Sequence, residues 1–459
     1  LSAASVACHS ESPPSATEDV TEIPQSGVKD QAIGNCWVYA AVGWAESLHL
    51  RYTTQELNLS ESYITYFHWM EQIAGGPTGL NPVRDLDADA ELKTGGFWGV
   101  AGELMLRYGI LAEGDFIASE AESIRSSRQG SAKRKIAASL KDGALSTPEA
   151  RRDRALVRAE LNRAWELSDE VVATLEEAFG DDYNRTFLGA PVPEGSALFT
   201  ADRIAVGRDG EREVTLADAI GISSSRTRFH NRRGTYAWTT KYYPESSGGR
   251  RDFQIELQRA MHREQPVLLS WLVDFAAMDG SHFRAPPTNP GRQGGHLVLA
   301  HDYQVTNVPG HGTLEAGTLV EDESILEAAL APEAQIEFIR IKNSWGADLA
   351  PDNIEGLEGY HDLYMDYLDG PITKCTARGD DKCALKRDET PFRRAIFPST
   401  AFLRATDGTC DPELYVDNCR GDTLQWCDEG RLERFACGDA DWVCGMSEEL
   451  GHMDCVEPE

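Results

Sequence analysis

The sequence predicts an α+β protein of two packed lobes. It adds a small disulfide-rich module at the C-terminal end. Three observations carry this. Apolar residues at helical spacing dominate the first 180 residues or so, as in "CWVYAAVGWAESLHLRY" (36–52). Strand signals come later, in "PVLLSWLVDF" (266–275), "HLVLAHDYQV" (296–305) and "EFIRIKNSW" (337–345). Helices first and a sheet afterwards is the order of an α+β chain. Third, eight of the ten cysteines lie between 375 and 455.

The bulk numbers bound the function classes. The chain has 459 residues, 41% hydrophobic and 26% charged, enough for a core of ordinary size. With 75 acidic and 44 basic residues the formal net charge is −31, which argues against a nucleic-acid partner, since phosphate binding needs a basic footprint. No apolar run approaches the roughly 18 residues a membrane span needs.

Taken in order, the first stretch, "LSAASVAC", resembles the tail of a signal peptide, with Ser5-Val6-Ala7 as a small-residue cleavage site. Cys8 after Ala7 also resembles a bacterial lipobox, although Ser5 stands where Leu is usual. Two expectations follow: secretion, or a cell-envelope lipoprotein attached to the membrane through a lipidated Cys8. Residues 1–24 are expected to be a processed leader and a disordered tether, "SESPPSATEDVTE" being short of apolar residues.

Gly34-Asn35 precede the 36–52 helix, with Asn35 able to cap it. Cys36 then sits at a helix start, where unpaired N–H groups and the macrodipole favour a thiolate. "SESYITYFHWMEQI" is a second helix with Ser60 as N-cap, and "FWGVAGELMLRYGIL", after Gly95-Gly96, a third. From about 117 to 235 the texture changes. "RRDRALVRAELNRAWELSDEVVATLEEAFG" is rich in strong helix formers, and its charges suit a solvated face rather than chemistry.

Six cysteines between 410 and 455 form an even set in a turn-rich segment, the pattern of a disulfide module in an oxidising compartment. Zinc is the poorer reading, because no CxxC pair exists there and His452 is the only histidine. Six cysteines allow 15 connectivities, and sequence does not choose. Cys375 and Cys383 are a local pair. That leaves Cys36 without a natural partner, a liability in an oxidising compartment unless the thiol is used.

A nucleophilic cysteine needs a base for its proton, and the base needs a partner to hold its orientation. "GGHLVLAHDYQV" offers His296 at the opening of an apolar strand, and "IKNSWG" offers Asn343 followed by Trp345. A Cys-Trp at a helix start, a Gly-His strand and Asn-Ser-Trp-Gly, in that order, resemble the papain superfamily of cysteine peptidases, over roughly residues 25–400. "LSESYITYFHW" (59–69) and "GGFWGVAGELMLRYGI" (95–110) make it most similar to the bleomycin hydrolase-like aminopeptidase branch. The resemblance implies Cys36 as nucleophile, His296 as acid and base, Asn343 as the residue orienting His296, and Gln31 as oxyanion donor beside the Cys36 N–H. It further implies Trp345 as a shield over the His–Asn bond and Gly95 and Gly96 as glycines that pair with substrate backbone. Gln31 precedes Cys36 by five residues where the family usually has six. The fold it implies is a helical lobe and a β-barrel-like lobe, so the expected division is 25–404 for a papain-like peptidase domain, with a helical insertion at about 117–235, and 405–459 for the disulfide-rich module. The module resembles Cys-rich repeats appended to secreted bacterial enzymes, through Trp426 to Leu432.

Each residue has a plainer reading. A lone helical cysteine is usually inert core, and His296 alone would more often be structural. His301, five residues on, points to the opposite sheet face and reads as support or surface. His282 sits in a Gly-Ser loop without a role. "DLDADAELKTGG" (85–96) fails the EF-hand pattern at Ala90 and Gly96, so no metal or other cofactor is implied. HExxH and GxSxG are absent. The reading that follows is an exported cysteine peptidase acting on a peptide or protein substrate. A catalytically inactive binding protein on the same scaffold and an acyl transferase using the same triad are the alternatives. Substrate preference, endo- or exopeptidase action and oligomeric state are not written in the sequence.

Overall fold

The computed structural model describes residues 20–459 except 80, 87–89, 122, 188–197, 210–211, 221–238, 244–246, 348–353, 355, 376–382, 386–390, 398–416, 421–422, 429–430, 438–441, 448–452 and 457–459. The signal-peptide and lipobox residues, Cys8 among them, lie outside the described residues.

Helix α1 spans Cys36–Thr53, α2 Glu61–Ala74 and α3 Trp98–Tyr108. Ser60 caps α2 as expected, its side chain accepting from the Tyr63 N–H. Asn35 does not cap α1. Its Nδ2 is drawn instead to Thr65 Oγ1 at 3.0 Å and Gln129 Oε1 at 2.9 Å, which ties the start of α1 to α2 and to the Ser127–Asp142 helix. The long helical stretch of the insertion breaks into Arg154–Trp165 and Asp169–Phe179, because Glu166 turns left-handed and Ser168 caps the second piece. These helices do not form a separate body: Ile136, Leu140, Leu161, Trp165 and Phe179 share one apolar cluster with α1, α2 and α3.

The second lobe is built on a nine-stranded sheet. Its order along the main path is Thr239–Tyr242, Phe392–Phe397, Val267–Asp274, Gln293–Val308, Gln335–Lys342, Tyr360–Tyr364, His282–Phe283 and Met278–Asp279, with Gly312–Leu314 beside Gln293–Val308. Pairing is antiparallel except between Tyr360–Tyr364 and His282–Phe283. The strand faces divide the core. Leu297 and Leu299 join the helical cluster, while Val298 and Ala300 join the cluster of the sheet lobe. The Gln293–Val308 strand therefore forms the seam between lobes, with α1 packed along it.

Residues 20–24 are packed rather than tethering. Val20 and Ile23 are buried in the sheet-lobe cluster, and the Val20 N–H donates to Asp302 Oδ1 at 2.9 Å. The apolar spacing of Val20 and Ile23 inside an acidic segment is the signal that composition averaged away. Beyond residue 416 the described chain is short antiparallel strands, Asn418–Arg420, Thr423–Asp428, Arg431–Ala436, Val443–Met446 and Met453–Val456. Cys437 is bridged to Cys455, and Cys427 and Cys444 are disulfide-bonded as well. Cys410 lies outside the described residues. Backbone register places Cys375 opposite Cys383, and their side chains lie outside the described residues.

Candidate active site

Cys36 is the first residue of α1 and the free cysteine among the described residues. First-turn N–H groups have no partner inside the helix. Those of Cys36 and Trp37 reach the sulfur, and so does the N–H of Leu297 on the facing strand. Leu297 immediately follows His296, so the seam brings the predicted nucleophile against the strand of the predicted base. All three N–H groups lower the thiol pKa, but burial outweighs them and pushes it up to about 11. The thiolate preference read from the helix start is thus overturned by desolvation.

His296 is held on three sides. Its Nε2 lies 2.7 Å from Asn343 Oδ1. The Trp345 ring stacks on it at 4.6 Å between centroids and 21° between planes. Trp271, its register partner on the Val267–Asp274 strand, meets it edge-on at 6.1 Å. Burial pushes His296 down to about 4, against the Asn343 hydrogen bond, which raises it. Burial thus disfavours the charged form of both groups. Because Nε2 faces the Asn343 oxygen, the proton of the neutral ring sits on Nε2 and Nδ1 is bare.

Asn343 follows the Gln335–Lys342 strand directly. Its Oδ1 also accepts the Ser344 N–H at 2.8 Å, which fixes the carboxamide before His296 is counted. Ser344 donates through Oγ to Gln31 Oε1 at 2.6 Å, and the Gln31 N–H donates to the Ser344 carbonyl at 2.9 Å. Gln31 Nε2 donates to Ile33 O at 2.7 Å, inside the shortened loop. An amide carries two such hydrogens, and this bond uses one of them.

The two glycines separate. A Cβ on Gly96 would meet the Trp37 ring at 2.4 Å, so Gly96 is where the Trp37 indole, whose Nε1 donates to Thr94 O at 2.8 Å, packs against the chain. A Cβ on Gly95 would meet nothing within 4 Å, and the same holds at Gly294 and Gly295 beside His296. Open backbone thus flanks the site on both lobes, on the loop before α3 and on the seam strand.

Behind the site lies a buried charge cluster that motif reading missed. Lys29 Nζ is 3.0 Å from Glu61 and 3.4 Å from Glu113. Lys342 Nζ donates to Ser26 Oγ at 2.8 Å, which donates to Glu46 Oε2 at 2.5 Å. Burial lowers Lys29, but Glu61, Glu46 and Glu113 overcome it and hold the ammonium above its usual range. Burial pushes Glu61 up to about 8 and Lys342 down to about 8. A cavity lined by Lys29, Glu46, Glu61 and Lys342 reaches Leu297 and Asn343, so these charges lie close to Asn343. Three acids and two bases in "VKD", "WAES", "LSES", "LAEG" and "IKNS" look like ordinary surface charge in sequence, and only the fold collects them.

His301 is buried, not surface, with its ring against Tyr360 at 4.6 Å. His282 Nδ1 lies 3.4 Å from Asp362. Within the calcium-like segment 85–96, residues 87–89 lie outside the described residues.

No family model matches this chain, and no curated protein does. Several solved structures are similar to it. One, described by the cross reactivity of the mite allergens Blo t 1 and Der p 1, is 12% identical with a TM-score of 0.31, covering 86% of this chain and 74% of that one. PepW from a Lactobacillus is 11% identical with a TM-score of 0.38, covering 84% and 82%. A Carica candamarcensis cysteine protease in complex with E-64 is 12% identical with a TM-score of 0.27, covering 82% and 92%.

Proposed function

We propose that this protein is a cysteine peptidase that hydrolyses peptide bonds through a thioester acyl-enzyme. The observation that carries the reading is the 2.7 Å contact between His296 Nε2 and Asn343 Oδ1 under the Trp345 ring, on a strand whose next N–H reaches Cys36 Sγ. It leaves Nδ1 as the ring nitrogen that takes the thiol proton.

Cys36 Sγ gives its proton to His296 Nδ1 and attacks the peptide carbonyl carbon. Burial disfavours the separated charges, so the transfer accompanies attack, and Asn343 Oδ1 supports the imidazolium by accepting from Nε2–H. The oxyanion is held by the Cys36 N–H and the free Gln31 amide hydrogen. His296 Nδ1–H then protonates the leaving amine, whose departure gives the Cys36 thioester. A water molecule, deprotonated by His296, cleaves the thioester and restores the thiol. Gly95 lets an extended substrate backbone approach, and Trp345 keeps water from the His296–Asn343 bond. The bleomycin hydrolase-like assignment, export and lipidation of Cys8 stand as parts of this proposal on motif resemblance.

Turnover of a set of unblocked and N-blocked peptides, with and without an added amine, tests it. Cys36-dependent release of an acid and an amine is expected. Loss on N-blocking marks an aminopeptidase. Products carrying the added amine in place of acid would make the protein a transferase, and equal turnover by Cys36→Ala would refute the nucleophile.

A further inference from the structure

His361 lies on the Tyr360–Tyr364 strand and is fully buried. Its Nδ1 is 3.4 Å from Asn343 Nδ2, on the side of the carboxamide away from His296. Its ring meets Trp345 edge-on at 5.4 Å and Phe283 at 6.0 Å. Those aromatic contacts would be served equally well by phenylalanine. A histidine here instead carries a cost, because burial takes both ring nitrogens from water and leaves Nε2 without a hydrogen bond, with the Gly359 carbonyl the backbone group acting on the ring. A buried polar group kept at a cost against a catalytic carboxamide calls for a role beyond packing.

We propose that His361 is a positioning residue of this site: with Nδ1 bare it accepts from Asn343 Nδ2, so the carboxamide is held from both ends with its oxygen toward His296. The inference rests on the reading of His296 and Asn343 given above. An amide can be turned over at little cost when only one end is anchored, and the flipped form would present N–H to the His296 Nε2–H. Protonation of His361 puts a hydrogen on Nδ1, removes the acceptor and sets a positive charge beside the ring that must itself become a cation.

The groups around His361 keep it neutral at working pH. From its own strand Asp362 faces it and favours charge, but Asp362 is already engaged by Arg340 at 2.9 Å. His282, on the neighbouring strand, disfavours it, as does His296 across Asn343, while the Gly359 carbonyl favours it. Burial is the largest influence and carries His361 down to about 4.

The test uses the full chain with ¹⁵N-labelled histidine, as wild type, His361→Phe and His361→Gln, titrated by ring resonances. In the wild type His361 Nδ1 is expected at an unprotonated shift near neutral pH. In His361→Phe the His296 midpoint is expected to fall by roughly half a unit or more, since the carboxamide no longer keeps its oxygen toward Nε2–H, and in His361→Gln to stay near the wild-type value. The kcat is expected to fall by roughly tenfold with KM unchanged. His361→Gln, which keeps an acceptor within reach of Asn343, should recover much of the kcat and show that the loss is not one of folding. A protonated Nδ1 in the wild type, or a His296 midpoint that does not fall in His361→Phe, overturns the proposal. If the wild type hydrolyses no peptide, the peptidase reading fails, and the ring titration still decides this one.

Discussion

Between Val20 and Ile372 the buried apolar residues form two clusters that share a seam strand, and the one cysteine in that span, Cys36, is free. Between Asn418 and Val456 the strands are three to six residues long, Phe435, Trp442, Val443 and Met446 are exposed, and cysteines are bridged. The first region has enough chain to bury a core and needs no covalent staple; the second does not. The same residue type is a cross-link where apolar packing is thin and an unpaired thiol where packing is complete. An unpaired thiol facing the strand that carries His296, itself held by Asn343 and Trp345, is the difference that points to chemistry.

The sharpest way to break this contrast is to remove the base. His296→Ala should lower kcat by about 10⁴-fold or more, and Cys36→Ala combined with it should be little worse than either alone, because the pair acts as a unit. Multiplicative losses in the double variant, measured by single-turnover hydrolysis, would mean that the two residues work separately. Gln31→Ala comes next. With the Cys36 N–H remaining, a loss of roughly 10²-fold in kcat is expected with KM little changed. A change below threefold would hand the oxyanion to another donor.

Reduction addresses the other side of the comparison. A mild reductant should expose the segment beyond residue 416 to proteolysis, since losing a native bridge in a small module costs about 2–5 kcal/mol. The melting of the two-lobed part should stay within a few degrees. A large fall there would mean that the bridged segment holds the lobes together. The smallest effect separates the glycines. Gly96→Ala should cost about 1–3 kcal/mol through the Trp37 ring, by the usual penalty of overpacking, whereas Gly95→Ala should leave stability within about 0.5 kcal/mol. Equal denaturation midpoints would remove the packing account of Gly96.

What could be read beforehand follows physical lines. α1 and α2 were legible from helical spacing and the Ser60 cap, and the three main strands from continuous apolar runs. The start of α1 at Cys36 and the strands that carry His296 and precede Asn343 were legible, each marked by a neighbouring residue, Trp37, Gly295 and Trp345. The competition at Cys36 was not, because sequence shows the helix start but not the depth of burial. Asn35 was misread as a cap because its two partners, Thr65 and Gln129, are distant in the chain. His361 was missed for a similar reason. "GYHDLY" looks like a half-exposed strand, and nothing local says that Tyr360, His361 and Asp362 are all buried.

The central claim is that Cys36 is kept as a reactive thiol while cysteines elsewhere are bridged. Peptide mapping of the native protein after exposure to a peptidyl epoxide measures this directly. The account predicts one adduct, on Cys36, accompanied by loss of hydrolysis, and no adduct in Cys36→Ala or when His296 is replaced. Cys36 recovered unmodified from a protein that hydrolyses peptides, or found bridged to a cysteine of the C-terminal segment, would contradict it.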